Sequence, residues 1–232
     1  MTHLFDDRRE AGAALARELR KLPLEDPVVL ALPRGGVPVG YEVARELSAP
    51  LDILLVRKIG APGHEEYGIG AIVDGDPAHL VIDDAAARAT GATRDYVAHQ
   101  VALQSEEIER RRKAYGTGAR VELAGRTVVL VDDGIATGGT VRAALQGLGQ
   151  ARCRKVVLAV PVAPSEVVEA LRPLCDRIVC LRSPEPFFAV GAHYSDFRQT
   201  SDEEVVGLLV AAKRFGGVGA KKQVDHYAKD AR

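Results

Sequence analysis

Long hydrophobic runs are missing from this 232-residue chain. The longest, residues 28–32 and 127–131, fall far short of the roughly 20 apolar residues needed to cross a bilayer, and no basic, apolar, small-residue leader precedes them. A cytoplasmic protein without membrane contact is expected. Cysteine is scarce: Cys153, Cys175 and Cys180 are odd in number and lack close paired spacing, which argues against a disulfide framework or a zinc site and leaves three structural thiols. Charge of one sign is lacking too. With 31 Lys and Arg against 32 Asp and Glu, the net charge of -1 carries no footprint for nucleic acid. The densest basic run, residues 110–113, follows Glu106, Glu107 and Glu109 in the order that favours helical ion pairs, so it reads as a solvated helix face.

What is present is the balance of an ordinary globular protein, 47% hydrophobic and 27% charged. The length suits one α/β domain with residues to spare for a lid or small subdomain. Asp6 and Asp7 precede an Ala/Leu/Arg/Glu-rich stretch that predicts an N-terminal helix ending before Pro23. Residues 28–32, 53–56, 127–131, 156–160 and 178–181 are short apolar runs separated by helical patterns, which predicts a doubly wound, mainly parallel five-stranded sheet with flanking helices. Residues 57–68 are polar and carry Gly60, Pro62 and Gly63; they read as a mobile loop before a further apolar run at 69–73. Residues 84–115 read as helix interrupted near Gly91, and a last helix is expected over about 202–213. The single domain is placed at 1–214, its core at about 26–182, with a Gly- and Lys-rich disordered tail over 215–232.

The segment Val128-Val129-Leu130-Val131-Asp132-Asp133-Gly134-Ile135-Ala136-Thr137-Gly138-Gly139-Thr140 concentrates the chemistry. In an open parallel sheet, ligands sit beyond the carboxyl ends of strands, where helix N-termini turn unpaired N–H groups outward. Gly138 and Gly139 let backbone donors approach a phosphate, and Thr137 and Thr140 add hydroxyls. Asp132 and Asp133 cannot serve that phosphate, but carboxylates accept hydrogen bonds from a ribose diol and suit a nearby magnesium ion. A phosphorylated ribose is the natural ligand. Neither a Gly-x-x-x-x-Gly-Lys-Ser/Thr loop nor a Gly-x-Gly-x-x-Gly after the first strand occurs, which argues against kinase and dehydrogenase readings.

This thirteen-residue string resembles the 5-phosphoribosyl-1-pyrophosphate (PRPP) motif of type I phosphoribosyltransferases, and the whole chain is similar to a bacterial subgroup with Arg-Lys-Ile-Gly-Ala-Pro after the second strand. The resemblance implies that Asp132 and Asp133 hold the ribose hydroxyls and meet Mg2+ indirectly, through water or PRPP, while Gly134, Ile135, Ala136, Thr137, Gly138, Gly139 and Thr140 wrap the 5-phosphate. Pro33-Arg34-Gly35-Gly36 resembles the family's pyrophosphate loop, which often has a strained peptide bond before Gly; Arg34, Gly35 and Gly36, with Arg57 and Lys58, would bind pyrophosphate. Residues 57–68 take the place of the flexible catalytic loop, with Lys58, His64, Glu65 and Glu66 as its contacts. A hood formed by the N-terminal helix and about 183–200 would recognise the acceptor through Phe187, Phe188 and Tyr194, drawn from an aromatic cluster in a chain that is only 5% aromatic.

The resemblance implies a homodimer and a magnesium-dependent transfer of phosphoribose from PRPP to a nitrogen acceptor, with Arg34, Lys58, Asp132 and Asp133 as catalytic residues. Ala136 stands where 6-oxopurine enzymes carry a second Asp, which turns the expectation away from hypoxanthine and guanine. An adenine-like base is one acceptor, on the likeness of the Ala-Thr-Gly-Gly-Thr wording. Two rivals use the same site: a PRPP sensor without catalysis, and phosphorolysis or hydrolysis of a nucleotide.

Overall fold

Alternate residues of three central strands bury their side chains on opposite faces of one sheet. The computed structural model describes residues 3–215. Within them, β1 (Pro27–Ala31), β2 (Leu51–Ile53), β6 (Thr127–Val131), β7 (Lys155–Val162) and β8 (Arg177–Arg182) pair in parallel in the order β2-β1-β6-β7-β8. Val28, Leu30, Val128, Leu130, Val156 and Leu158 pack on one face with Val141, Ala144, Leu145 and Leu148 of α5 (Gly139–Leu148). Val29, Val129, Val131, Val157 and Ala159 pack on the other with α1 (Arg8–Leu19) and α2 (Gly36–Leu47). Strands covered on both faces need continuous apolar runs, and the doubly wound sheet follows. α6 (Ser165–Leu171) joins β7 to β8, and α7 (Asp202–Ala212) packs on α2.

Four expectations change, the first being the strand at 53–56: only Ile53 lies in β2, and Val56 opens the next strand. Residues 57–68 are not an irregular loop: β3 (Val56–Ala61), β4 (His64–Val73) and β5 (His79–Ile82) form a separate antiparallel sheet. Its glycines are strand devices. Pro62-Gly63 makes the hairpin turn with Gly63 at φ +71°, and a Cβ on Gly60 would collide with the Glu65 carbonyl oxygen, beside a register shift. The helical stretch divides at Gly91 (φ +71°) into α3 (Asp84–Ala89) and α4 (Arg94–Ala114), as its sequence indicated.

The basic run on α4 is not uniformly solvated. Arg110 and Arg111 pair with Glu107, whose carboxyl they hold at about 2. Arg112 instead points inward, 3% exposed, and binds Asp52 at 2.9 Å and Asp74 at 2.7 Å; Arg120 reaches Asp74 at 2.7 Å. Helical geometry turns a residue two positions on from Arg110 towards the opposite face, and two buried acids wait there.

Finally, Phe215, placed at the start of the tail, packs its ring on Tyr41 with centroids 5.1 Å apart. The rest of that expected tail, 216–232, lies outside the described residues. No helix among the described residues is long and apolar enough to cross a membrane, and the three cysteines are free thiols.

Candidate active site

The site forms where β1 and β6, neighbours at the centre of the sheet, release their chains at the same height. Their register runs from Pro27↔Thr127 to Ala31↔Val131, so the Pro33–Gly36 turn and the Asp132–Thr140 loop leave side by side. They touch. A Cβ on Gly35 would collide with Asp133 Oδ2, and one on Gly36 would lie 2.8 Å from the Val131 carbonyl oxygen. The backbone contact requires glycine at position 36, and a side chain at position 35 would have to displace the Asp133 carboxylate. The Pro33–Arg34 peptide is cis, one bond earlier than the bond before Gly that the family pattern implies.

Asp132 and Asp133 stand side by side at the strand end, both partly buried. Asp132 Oδ1 accepts the Asp133 N–H at 2.9 Å. Burial, and then the neighbouring Asp133 charge, push the Asp132 carboxyl well above the usual carboxylate range. Burial raises Asp133 as well, against the pull of a guanidinium: Arg8 Nε donates to Asp133 Oδ2 at 2.7 Å. Tyr194 O–H donates to the Asp133 carbonyl at 2.6 Å.

Beyond the acids the loop sorts its residues cleanly. Gly134, Ile135 and Gly138 are buried, whereas Ala136, Thr137, Gly139 and Thr140 are exposed. Ile135 anchors the turn by donating its N–H to the Val162 carbonyl at 2.9 Å. Gly138, at φ +79°, enters α5 in a left-handed conformation that a side chain would oppose. Among the described residues, the N–H groups from Ala136 to Thr140 find no acceptor, nor do the Thr137 and Thr140 hydroxyls find partners. A helix N-terminus with this many unpaired donors has the chemistry to receive an anion.

The remaining predicted residues are distributed unevenly. Arg34 has its guanidinium 3.7 Å from Asp202, the first residue of α7, which also accepts the Tyr115 hydroxyl. Arg57 and Lys58, adjacent on β3, point to opposite faces of their strand. Arg57 donates to Gln104 of α4, and Lys58 Nζ to the Glu66 carbonyl at 2.9 Å, so the pair does not present two cations to one ligand. His64, Glu65 and Glu66 are exposed at the start of β4. Phe188 is 78% exposed, and Phe187 stacks beside His193.

Tyr194 is the correction in this group: it is 2% exposed, packed between Phe5 and Phe197 beneath the loop, and offers no ring face to an acceptor. Sequence reasoning missed Arg8. The only local sign was a cation in the first turn of a helix, where the dipole disfavours it.

The phosphoribosyl transferase domain family matches residues 5–196, which include both loops and the 190–196 segment. The chain belongs to that family. Two Mycobacterium tuberculosis relatives, from strains CDC 1551 and H37Rv, are provisionally named phosphoribosyl transferases; each is 47% identical over 222 residues, covering 94% of this chain and 49% of its own length. The chain thus spans about half the length of the curated relatives it matches. The crystal structure of TT1426 from Thermus thermophilus superposes with a TM-score of 0.79 at 46% identity, over 89% of this chain and 98% of that one. At that level of identity the fold described above is shared along nearly the whole of that chain.

Proposed function

We propose that this protein transfers the phosphoribosyl group of PRPP to a nitrogen acceptor and releases pyrophosphate. The observation that carries the reading is the contact between the two loops: unpaired N–H donors and hydroxyls lie on one side of Asp132 and Asp133, and the Pro33–Gly36 turn lies on the other. One ligand with a phosphate, a diol and a pyrophosphate in that sequence fits the row.

The residues divide the work by charge. Backbone donors of 136–140 and the Thr137 and Thr140 hydroxyls hold the 5-phosphate, and Asp132 and Asp133 accept from the ribose hydroxyls. Arg34 meets the pyrophosphate as its bond to the anomeric carbon lengthens, with Lys58 joining once it leaves Glu66. The positive charge left on the sugar is quenched by a nitrogen nucleophile on the opposite face, so positioning and electrostatics supply the rate and no covalent enzyme nucleophile is needed.

The two carboxylates fit Mg2+, which holds to few protein oxygens and keeps water and ligand oxygens for the rest; the described residues include no cluster of three acids or His that would cage it. When bound with PRPP, the ion would supply charge neutralisation for the leaving pyrophosphate. Ala136, exposed in the phosphate loop, offers no carboxylate to a 6-oxopurine, which favours an adenine-like base or another amine over hypoxanthine and guanine.

A turnover assay with Mg2+ and PRPP across purine, pyrimidine and simple amine acceptors tests this. Pyrophosphate released in step with an N-ribosylated product is expected, with inversion at the anomeric carbon. Tight PRPP binding without product on any acceptor would instead make the protein a sensor. Ribose phosphate formed from nucleoside monophosphates and inorganic phosphate or water would make it a phosphorylase or hydrolase.

A further inference from the structure

Arg8 breaks a local rule at a place where nothing local rewards it. It is the first residue of α1, and its neighbour Asp7 already caps that helix by accepting from the Arg9 and Glu10 N–H groups at 2.8 Å. A cation at a helix N-terminus opposes the dipole. Yet the Arg8 side chain is only 12% exposed and is held at three points. Nε donates to Asp133 Oδ2 at 2.7 Å, Nη1 donates to the Arg198 carbonyl at 2.8 Å, and the guanidinium lies 3.9 Å over the Phe197 ring. A planar cation held by two hydrogen bonds and a ring has little freedom left.

The same two segments are stitched along their length. The Leu4 and Phe5 N–H groups donate to the His193 carbonyl, Ser195 N–H to Phe5, and Asp196 N–H to Asp6. Below them Tyr194 holds the Asp133 carbonyl, and Val190 sits so close to Gly134 that a Cβ there would meet it at 2.5 Å. Residues 4–8 and 190–198 therefore form one unit that reaches the β6 loop at Gly134, at the Asp133 backbone and, through Arg8, at the Asp133 carboxylate.

We infer that Arg8 is a positioning residue that fixes the Asp133 carboxylate for the ribose diol of the donor and ties that carboxylate to the 190–198 segment. The inference rests on the PRPP reading above. With one oxygen of Asp133 occupied by Arg8, the other is left to accept from a hydroxyl, and the side chain is held in one rotamer before the ligand arrives. Positioning of this kind is felt by ligands that carry the diol and not by those that lack it.

Calorimetric titration with PRPP, ribose 5-phosphate and pyrophosphate, each with Mg2+, separates the two. Arg8→Gln is expected to weaken PRPP and ribose 5-phosphate about tenfold, the scale of one charge-assisted hydrogen bond, and to leave pyrophosphate within about twofold, since its side-chain partners, Arg34 and Lys58, are held by Asp202 and Glu66 and not by Arg8. Arg8→Lys, which keeps the charge without the fork, should restore part of the loss. Phe197→Leu, which leaves Arg8 in place but removes its platform, should weaken the same two ligands by a smaller factor. Wild-type affinity for PRPP in Arg8→Gln, tighter binding, or an equal loss for all three ligands would overturn the role. Failure of the unsubstituted protein to bind PRPP would overturn the functional reading itself.

Discussion

Asp132 has two unfavourable neighbours, a buried setting and the Asp133 charge, and both push its carboxyl upward. Such a residue is kept for a ligand and not for the fold. Asp132→Asn should therefore raise the melting temperature of the ligand-free protein by about 2–4 °C, the shift that roughly 1 kcal/mol produces in a chain of this size, while weakening PRPP about tenfold or more. Scanning calorimetry with and without PRPP checks both; a lower ligand-free melting temperature would mean that the acid stabilises the loop. At this scale the loop after β6 could be singled out in the sequence because its candidate donors and acids are contiguous. Arg8 could not, because its partner lies 125 residues away. Tyr194 was misplaced for a different reason: residue type says that a ring will be packed, and not whether it packs above a loop or beneath it.

Among the elements, two helical glycines make opposite predictions. Gly147 of α5 faces β4, and a Cβ there would lie 2.6 Å from the Val73 Cβ. The roughly 1 kcal/mol that alanine gains in a helix is outweighed by overpacking of about 1–3 kcal/mol, so Gly147→Ala should destabilise. Gly207 of α7 is exposed with open space around its Cβ position, and Gly207→Ala should stabilise by about 0.5–1 kcal/mol. Urea unfolding of both variants measures the pair, and stabilisation by Gly147→Ala would refute the packing of α5 on β4. Apolar continuity made four of the five sheet strands readable; the run at 53–56 straddles the end of β2 and the start of β3 and marked neither. The β3–β4 hairpin escaped because its buried positions, Ile59, Ala61 and Ile69, are spaced among glycines and charges whose usual meaning is an irregular loop.

Across the whole molecule, the two sheets are braced by a buried ion network. Arg112 joins Asp52 of β2 to Asp74 at the end of β4, donates to the Ile53 carbonyl, and shares Asp74 with Arg120, which also pairs with Glu109. Removing one member of such a network leaves buried charge without a partner. Arg112→Met should cost about 3–5 kcal/mol in equilibrium unfolding, far more than the exposed Arg110→Met, which serves as the control; equal effects would show that the network contributes little.

The five-residue pairing of β1 with β6 joins positions whose numbers differ by 100 at every rung, from Pro27↔Thr127 to Ala31↔Val131. Every contact between the two turns that follow these strands is therefore the product of one long loop closure. Chain entropy makes such a closure slow compared with helix and hairpin formation. During refolding, affinity for the donor cannot appear before these two strands have paired, so donor binding reports that closure and no earlier local event.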